Sequence, residues 1–378
     1  MNVAEQPSAT LATAYDLIIF DLDGVVYVGT EPVPGAADAI ARLAAAGTAV
    51  AYATNNASRR AQEVADLLGA VGVPATAAEV LTSAEAAARL LAADHPAGSP
   101  ILVVGAPALR ADVAAAGLVP VSGAADGPVA VVQGYGPQLG WADLAEASVA
   151  IRAGARWVAT NTDATLPSPR GPLPGNGSLV AALAHALGRG PDAVVGKPEP
   201  ALFEVAAQRY GAANPLVVGD RLDTDIEGAN RAGMPSLVVL TGVTQPADLL
   251  EVAPALRPTH LATDLSGLFE PEALVRIPAC ADPAEGAGAG GWRVTATGDE
   301  LLLDGSGDAT DALRALVAVA WATSGRAVQV TPAGTDAERA LAELNLPVAA
   351  VTAASAVSAG HRGSPSPTPA PMPRPQRR

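Results

Sequence analysis

In 378 positions the sequence holds one cysteine, Cys280, one lysine, Lys197, and 3% aromatic residues. A lone cysteine excludes an intrachain disulfide and gives no reason to expect an oxidising compartment, so a cytoplasmic protein is expected. Positive charge is scarce as well: 23 Lys and Arg stand against 38 Asp and Glu, a formal net charge of −15. That balance excludes a general nucleic-acid binder or a protein lying on anionic membranes, since both need a cationic face. An anionic small molecule would require a locally positive pocket. No run of about 20 apolar residues free of Gly, Pro and charge occurs, and residues 1–14 lack a basic stretch followed by an apolar one, so neither membrane insertion nor export is expected. With 49% hydrophobic and 16% charged residues the chain is not wholly disordered, and its length allows two to four folded units of about 100–200 residues.

Apolar runs at 15–20 and 48–53 end at Asp21 and Thr54, with a helical segment at 35–46 between them, which reads as a βαβ unit. The pattern returns late in the chain: a helix over 198–210, a strand over 216–218 ending at Gly219-Asp220, a helix over 226–232 and a strand over 236–240. The fold class expected is α/β, with a Rossmann-like doubly wound parallel sheet whose ligands bind at the carboxyl ends of the strands. Thr54 and Lys197 lie 143 positions apart, far more than one βαβ unit needs. The reading is therefore a core of residues 15–84 and 191–270 with an α/β insert at 85–190. Strands at 101–104, 129–133 and 157–159 and a helix at 141–153 are expected in the insert. Residues 271–291 read as a linker and 292–355 as a small ββαβαβ domain. Residues 356–378 are rich in Pro and Ser and carry Arg362, Arg374, Arg377 and Arg378 with no acid, a disordered basic tail.

Chemistry concentrates at four places. Asp21 and Asp23 stand two apart just past a buried strand; an Asp-Gly pair such as Asp23-Gly24 is an ordinary turn element on its own. Thr54-Asn55-Asn56 leads toward a helix start expected at Ser58, where free N–H groups meet anions, although a plain N-cap loop looks the same. Lys197 sits in Gly196-Lys197-Pro198, and every other basic residue is arginine. A coding bias explains the arginines, and a site needing a compact point charge explains the exception. In Gly219-Asp220-Arg221-Leu222-Asp223-Thr224-Asp225, Asp223 reads as a helix-dipole acid, whereas Asp220 and Asp225 suit a hard cation.

Together and in this order, DLDG, TNN, GKP and GDRLDTD resemble the haloacid dehalogenase superfamily of phosphotransferases over about two thirds of the chain. The resemblance implies Mg2+ as cofactor and the following roles. Asp21 would be the nucleophile and a metal ligand; Asp23 would be the general acid and base, its carbonyl also on the metal. Thr54, Asn55 and Asn56 would hold the phosphoryl group with Lys197, while Asp220 and, through water, Asp225 would complete the metal site. The second acid, Asp23, points to phosphate esters rather than carbon–halogen bonds. An insert placed after Thr54 resembles class IIA caps, whose overhanging loops match Asn161 and Asp163 here; as turn formers these two residues have an equally plain reading. The layout with an appended unit resembles glycerol-3-phosphate phosphatases, that unit being similar to part of an acetyltransferase fold without a recognisable acyl-CoA loop.

A Mg2+-dependent phosphatase acting on glycerol 3-phosphate is thus expected, with 2-phosphoglycolate second. A nucleotide or pyridoxal phosphate phosphatase is the alternative, for which Trp141, Trp157 and Tyr135 are the rings available to stack. A scaffold acting through its C-terminal unit is the non-enzymatic alternative, and the intact set of acids and lysine argues against it. The partner expected is a small phosphorylated metabolite, with no nucleic acid; a homo-oligomer stays open.

Overall fold

The computed structural model describes residues 9–166, 171, 173–323 and 329–347. Six strands form the central sheet in the spatial order His260–Ala262, Ser236–Val239, Pro215–Gly219, Leu17–Phe20, Ala49–Thr54 and Val80–Thr82, all neighbours parallel. Their composition explains the arrangement. Strands reading LIIF, PLVVG and SLVV are buried throughout, which suits a sheet covered on both faces. Alternation along a strand divides it between two cores. Ile18 and Phe20 pack with Leu43 and Leu68, while Leu17 and Ile19 face the opposite way, toward Leu202 and Phe203.

Between Thr82 and Pro215 the chain leaves this sheet and builds a second one. Its order is Ala193–Val194, Arg156–Ala159, Ala130–Gln133, Pro100–Val104 and Val119–Val121, again all parallel. The helices Pro107–Ala115, Trp141–Arg152 and Asn176–Leu187 accompany it. The chain then returns to the centre of the first sheet, where Ile19 lies opposite Val217 on one side and Ala51 on the other. This is the expected α/β class, with a Rossmann-like core and an inserted cap.

The third unit pairs Ala287–Ala289, Trp292–Thr297 and Glu300–Gly305 antiparallel and adds Gln329–Pro332 parallel to the last. Eleven of the fourteen residues of its helix Ala309–Ala322 are buried, and a helix apolar nearly all round must be covered on both sides. Leu313, Leu316 and Val317 accordingly share one cluster with Val294 and Leu303 of this unit's sheet and with Val238, Leu249 and Leu261 of the central core.

Residues 271–291, expected as a linker, instead carry a short helix, Glu272–Val275, and the strand Ala287–Ala289. Their glycines serve close packing rather than flexibility: a Cβ on Gly286 would lie 2.0 Å from the Val294 oxygen and one on Gly291 2.1 Å from the Ser306 oxygen. The helix expected from Ser58 begins at Ala61, because Asn56 Oδ1 accepts from both the N–H and the hydroxyl of Ser58 at 2.8 Å and holds a turn there. The helix expected from residue 226 instead starts earlier, as one wide π-helical turn over Leu222–Ile226 that runs directly into the α-helix Glu227–Arg231. The strand expected at 348–352 and the tail at 356–378 lie outside the described residues. Among the described residues no helix is long and apolar enough to cross a membrane.

Candidate active site

Adjacent parallel strands present their last residues side by side, and three of them do so here. Asp21 follows Leu17–Phe20, and its N–H still donates to Val218 O at 2.8 Å, so the ladder aims the carboxylate off the sheet edge. Asp220 follows Pro215–Gly219 next to it, and Thr54 closes Ala49–Thr54 on the other side. Lys197 arrives from the cap return and is 2% exposed. Its ammonium donates to Asp21 Oδ1, to Asp225 Oδ1 at 2.7 Å and to Ala53 O at 3.1 Å. Three acceptors around one point suit an ammonium with three hydrogens and would not suit a planar guanidinium.

The remaining acids are held by backbone groups. Asp225 Oδ2 accepts from Arg221 N at 3.1 Å within the wide turn. Asp220 Oδ2 accepts from Val243 N at 2.7 Å, while Asp220 Oδ1 is buried and has no hydrogen-bond partner among the described residues. Two glycines make room for this carboxylate: a Cβ on Gly24 or Gly242 would lie 2.4 or 2.0 Å from Asp220 Oδ2. Carboxylate oxygens of Asp21, Asp220 and Asp225 lie within 4.8 Å of one another.

Crowding acids in a buried place has a clear electrostatic result. Burial first, then the neighbouring carboxylates, push Asp220 up to about 8. Burial pushes Asp225 up to about 6 against the opposing pull of Lys197, and Asp21 rises for the same reason. Burial works against the Lys197 ammonium, but Asp21 and Asp225 outweigh it and raise its pKa. One ammonium cannot neutralise three carboxylates. The surplus charge and the orphaned Asp220 oxygen are what a divalent cation with oxygen ligands would satisfy. Burial also raises the Asp23 carboxyl, beside a tight turn in which Gly24 N donates to Tyr27 O at 2.8 Å.

Four residues expected to hold substrate have other engagements. Asn55 Nδ2 donates to both carboxylate oxygens of Asp163 at 3.1 Å and to Lys197 O at 3.0 Å. Asn161, 4% exposed, donates to Asn55 O at 2.7 Å, so it and Asp163 face Asn55. Asn56 stays in its local turn. Of the rings considered for stacking, Trp157 is fully buried with Nε1 on Gln133 Oε1 at 3.1 Å, and Trp141 is 84% exposed. Val243 N and Thr241, whose hydroxyl donates to Gly24 O at 2.6 Å, lie outside the strand-end pattern; a backbone donor leaves no trace in sequence. Arg59 lies outside it as well, an exposed cation whose field reaches Asp23 and Tyr27; its signal in the sequence is the Ser58-Arg59-Arg60 run.

Family models match residues 18–119 (haloacid dehalogenase-like hydrolase), 194–268 (HAD-hydrolase-like) and 289–346 (GCN5-related N-acetyltransferase like domain). A D-glycerol 3-phosphate phosphatase of Mycobacterium tuberculosis is 46% identical over 312 residues, covering 82% of this chain and 87% of that protein. The 5'-nucleotidase YutF of Bacillus subtilis is 35% identical over 67% of this chain and 96% of its own length. Among solved structures, the glycerol phosphate phosphatase of Mycobacterium tuberculosis in complex with magnesium superposes with a TM-score of 0.83 at 43% identity, covering 89% of this chain and 99% of that one.

Proposed function

The chain belongs to the haloacid dehalogenase-like hydrolases, and from that premise we propose that it is a Mg2+-dependent phosphomonoesterase acting on glycerol 3-phosphate, with 2-phosphoglycolate as the next candidate. The observation that carries this reading is the convergence of the Asp21, Asp220 and Asp225 carboxylates on one spot beside the Lys197 ammonium. A carboxylate approaches a phosphate dianion only where both are neutralised, and the rest of the protein is acidic.

Asp21, Asp220 and the carbonyl of Asp23 would hold Mg2+, with Asp225 supporting them, and the bound ion would offset charge on the phosphoryl oxygens and orient them. Lys197 fixes the Asp21 carboxylate and adds positive charge. One oxygen of Asp21 attacks phosphorus, forming an aspartyl-phosphate as the bond to the alcohol oxygen breaks. Asp23 gives its proton to the departing alkoxide; its upward-shifted carboxyl suits a group that must arrive protonated. It then takes a proton from the water that attacks phosphorus and releases inorganic phosphate and Asp21. Thr54, at the neighbouring strand end, would hold a phosphoryl oxygen. Full burial of Trp157 leaves exposed Trp141 and half-buried Tyr135 as the rings for a nucleobase or pyridoxal, a sparse supply that favours a small polyol phosphate. A single cysteine and no membrane-crossing helix among the described residues suit a cytoplasmic site of action.

Phosphate release from glycerol 3-phosphate, 2-phosphoglycolate, a nucleoside monophosphate and pyridoxal 5'-phosphate tests the reading. The highest kcat/KM is expected for glycerol 3-phosphate, with turnover lost in EDTA. Asp21→Asn, nearly isosteric but uncharged, is expected to remove turnover while circular dichroism stays unchanged. Turnover that survives complete metal removal, or an active Asp21→Asn, overturns the mechanism.

A further inference from the structure

One carboxamide joins the cap to the catalytic machinery. The two hydrogens on Asn55 Nδ2 are both engaged, toward the Asp163 carboxylate of the cap at 3.1 Å and toward Lys197 O at 3.0 Å. None is left for a phosphoryl oxygen. The Asn55 carbonyl accepts from Asn161 Nδ2 and from Ser83 Oγ, each at 2.7 Å. Asn161 is itself clamped, its Oδ1 accepting from Asp163 N at 3.2 Å and its carbonyl from Asn176 Nδ2 at 2.7 Å. Gly196 N reaches the Thr160 carbonyl at 2.7 Å. Cap residues 160–163, Asn55 and the backbone at 196–197 therefore form one hydrogen-bonded body.

The end of the strand Ala49–Thr54 thus grips Lys197 twice. Ala53 O receives the ammonium at 3.1 Å, and two residues on, the Asn55 side chain holds the Lys197 carbonyl. The second grip depends on the cap: the Asp163 carboxylate is a charge-assisted acceptor that fixes the rotamer in which Asn55 also reaches Lys197. Resting on the phosphatase reading above, we propose that Asn55 is a positioning residue that couples the seating of cap residues 160–163 to the placement of the Lys197 ammonium against Asp21, and does not itself hold substrate. Lifting the cap takes Asp163 away, frees the carboxamide to rotate and loosens the backbone behind Lys197. The charge arrangement for attack is then complete only when the site is roofed.

The test uses the full chain with saturating Mg2+ and glycerol 3-phosphate. Asn55→Ala and Asp163→Ala are each expected to lower kcat on the order of 10–100-fold while KM moves less than about threefold. The double variant should be no worse than the poorer single, and Asp163→Asn, which keeps an acceptor oxygen, should recover most of the loss. Hydrogen exchange should rise together at 160–163 and 195–197 in both alanine variants. Losses that multiply in the double, a loss confined to KM, or faster exchange in only one of the two segments overturns the coupling. If Asn55→Ala does not fold, the Asp163 variants alone carry the kinetic split and the exchange comparison. A wild type that hydrolyses no phosphomonoester defeats the phosphatase reading instead, and the exchange result still decides the coupling.

Discussion

The central sheet carries two attached units, and they are fastened in different ways. The cap meets the core through alanines such as Ala57, Ala84 and Ala87, packed with Leu91 and Leu109, and through side-chain hydrogen bonds around Asn55. The C-terminal unit meets it through Leu313, Leu316 and Val317, which merge with Leu249 and Leu261 into one cluster. Trp321 Nε1 also donates to Leu249 O at 2.8 Å, and buried Arg314 donates twice to Leu261 O, at 2.9 and 2.7 Å. A fully buried Leu or Val contributes about 1.5–3 kcal/mol and an alanine methyl far less. The cap's junction mixes small apolar side chains with hydrogen bonds, whereas the C-terminal unit's rests on larger apolar ones.

The comparison breaks most decisively on removal of the C-terminal unit. Deleting residues 280–378 uncovers Leu249, Leu250 and Leu261 at once, and the expected outcome is loss of soluble, cooperatively unfolding protein, measured by thermal denaturation. A truncated chain that melts at the full-length temperature would erase the distinction. Relatives such as the 5'-nucleotidase, 96% of which is matched by two thirds of this chain, have little length left for such a unit. A finer probe is Arg314→Leu. The change removes a guanidinium that is 4% exposed and leaves Leu261 O without its donors, and a loss of about 3 kcal/mol is expected from the denaturant midpoint, with kcat of the folded protein unaltered. The smallest effect belongs to the cap. Arg60→Ala breaks the 3.3 Å pair with Asp112, whose arginine is 53% exposed, and should cost about 0–1 kcal/mol in the same measurement. A loss matching that of Arg314→Leu would mean the cap is as firmly welded as the other unit.

Much of this architecture is legible in sequence where an apolar run ends in a polar residue, as at Phe20-Asp21 and Gly219-Asp220, because a strand buried on both faces has little freedom over what it contains. The short strands Val80–Thr82 and His260–Ala262 escape the same reading: three residues show no period, and pairing with neighbours defines them. The glycines of 286–291 mislead for a physical reason, since composition does not distinguish a residue chosen for freedom from one chosen because another backbone lies within 3 Å. In the site, the acids are legible because they follow apolar runs, and Lys197 because it is the one lysine in the sequence. The bond between Asn55 and Asp163, 108 positions apart, is not, since it depends on how the cap sits.

The out-and-back path of the chain also sets a clock. Asp21 emerges from the ribosome on the order of 200 residues ahead of Asp220, which at about 5–20 residues per second is a wait of about 10–40 s. Throughout that interval the first strand lacks Pro215–Gly219 on one flank. On the proposed mechanism, a chain whose synthesis stops anywhere in the insert ends before Lys197 and Asp220 and so lacks part of the set that would do the chemistry.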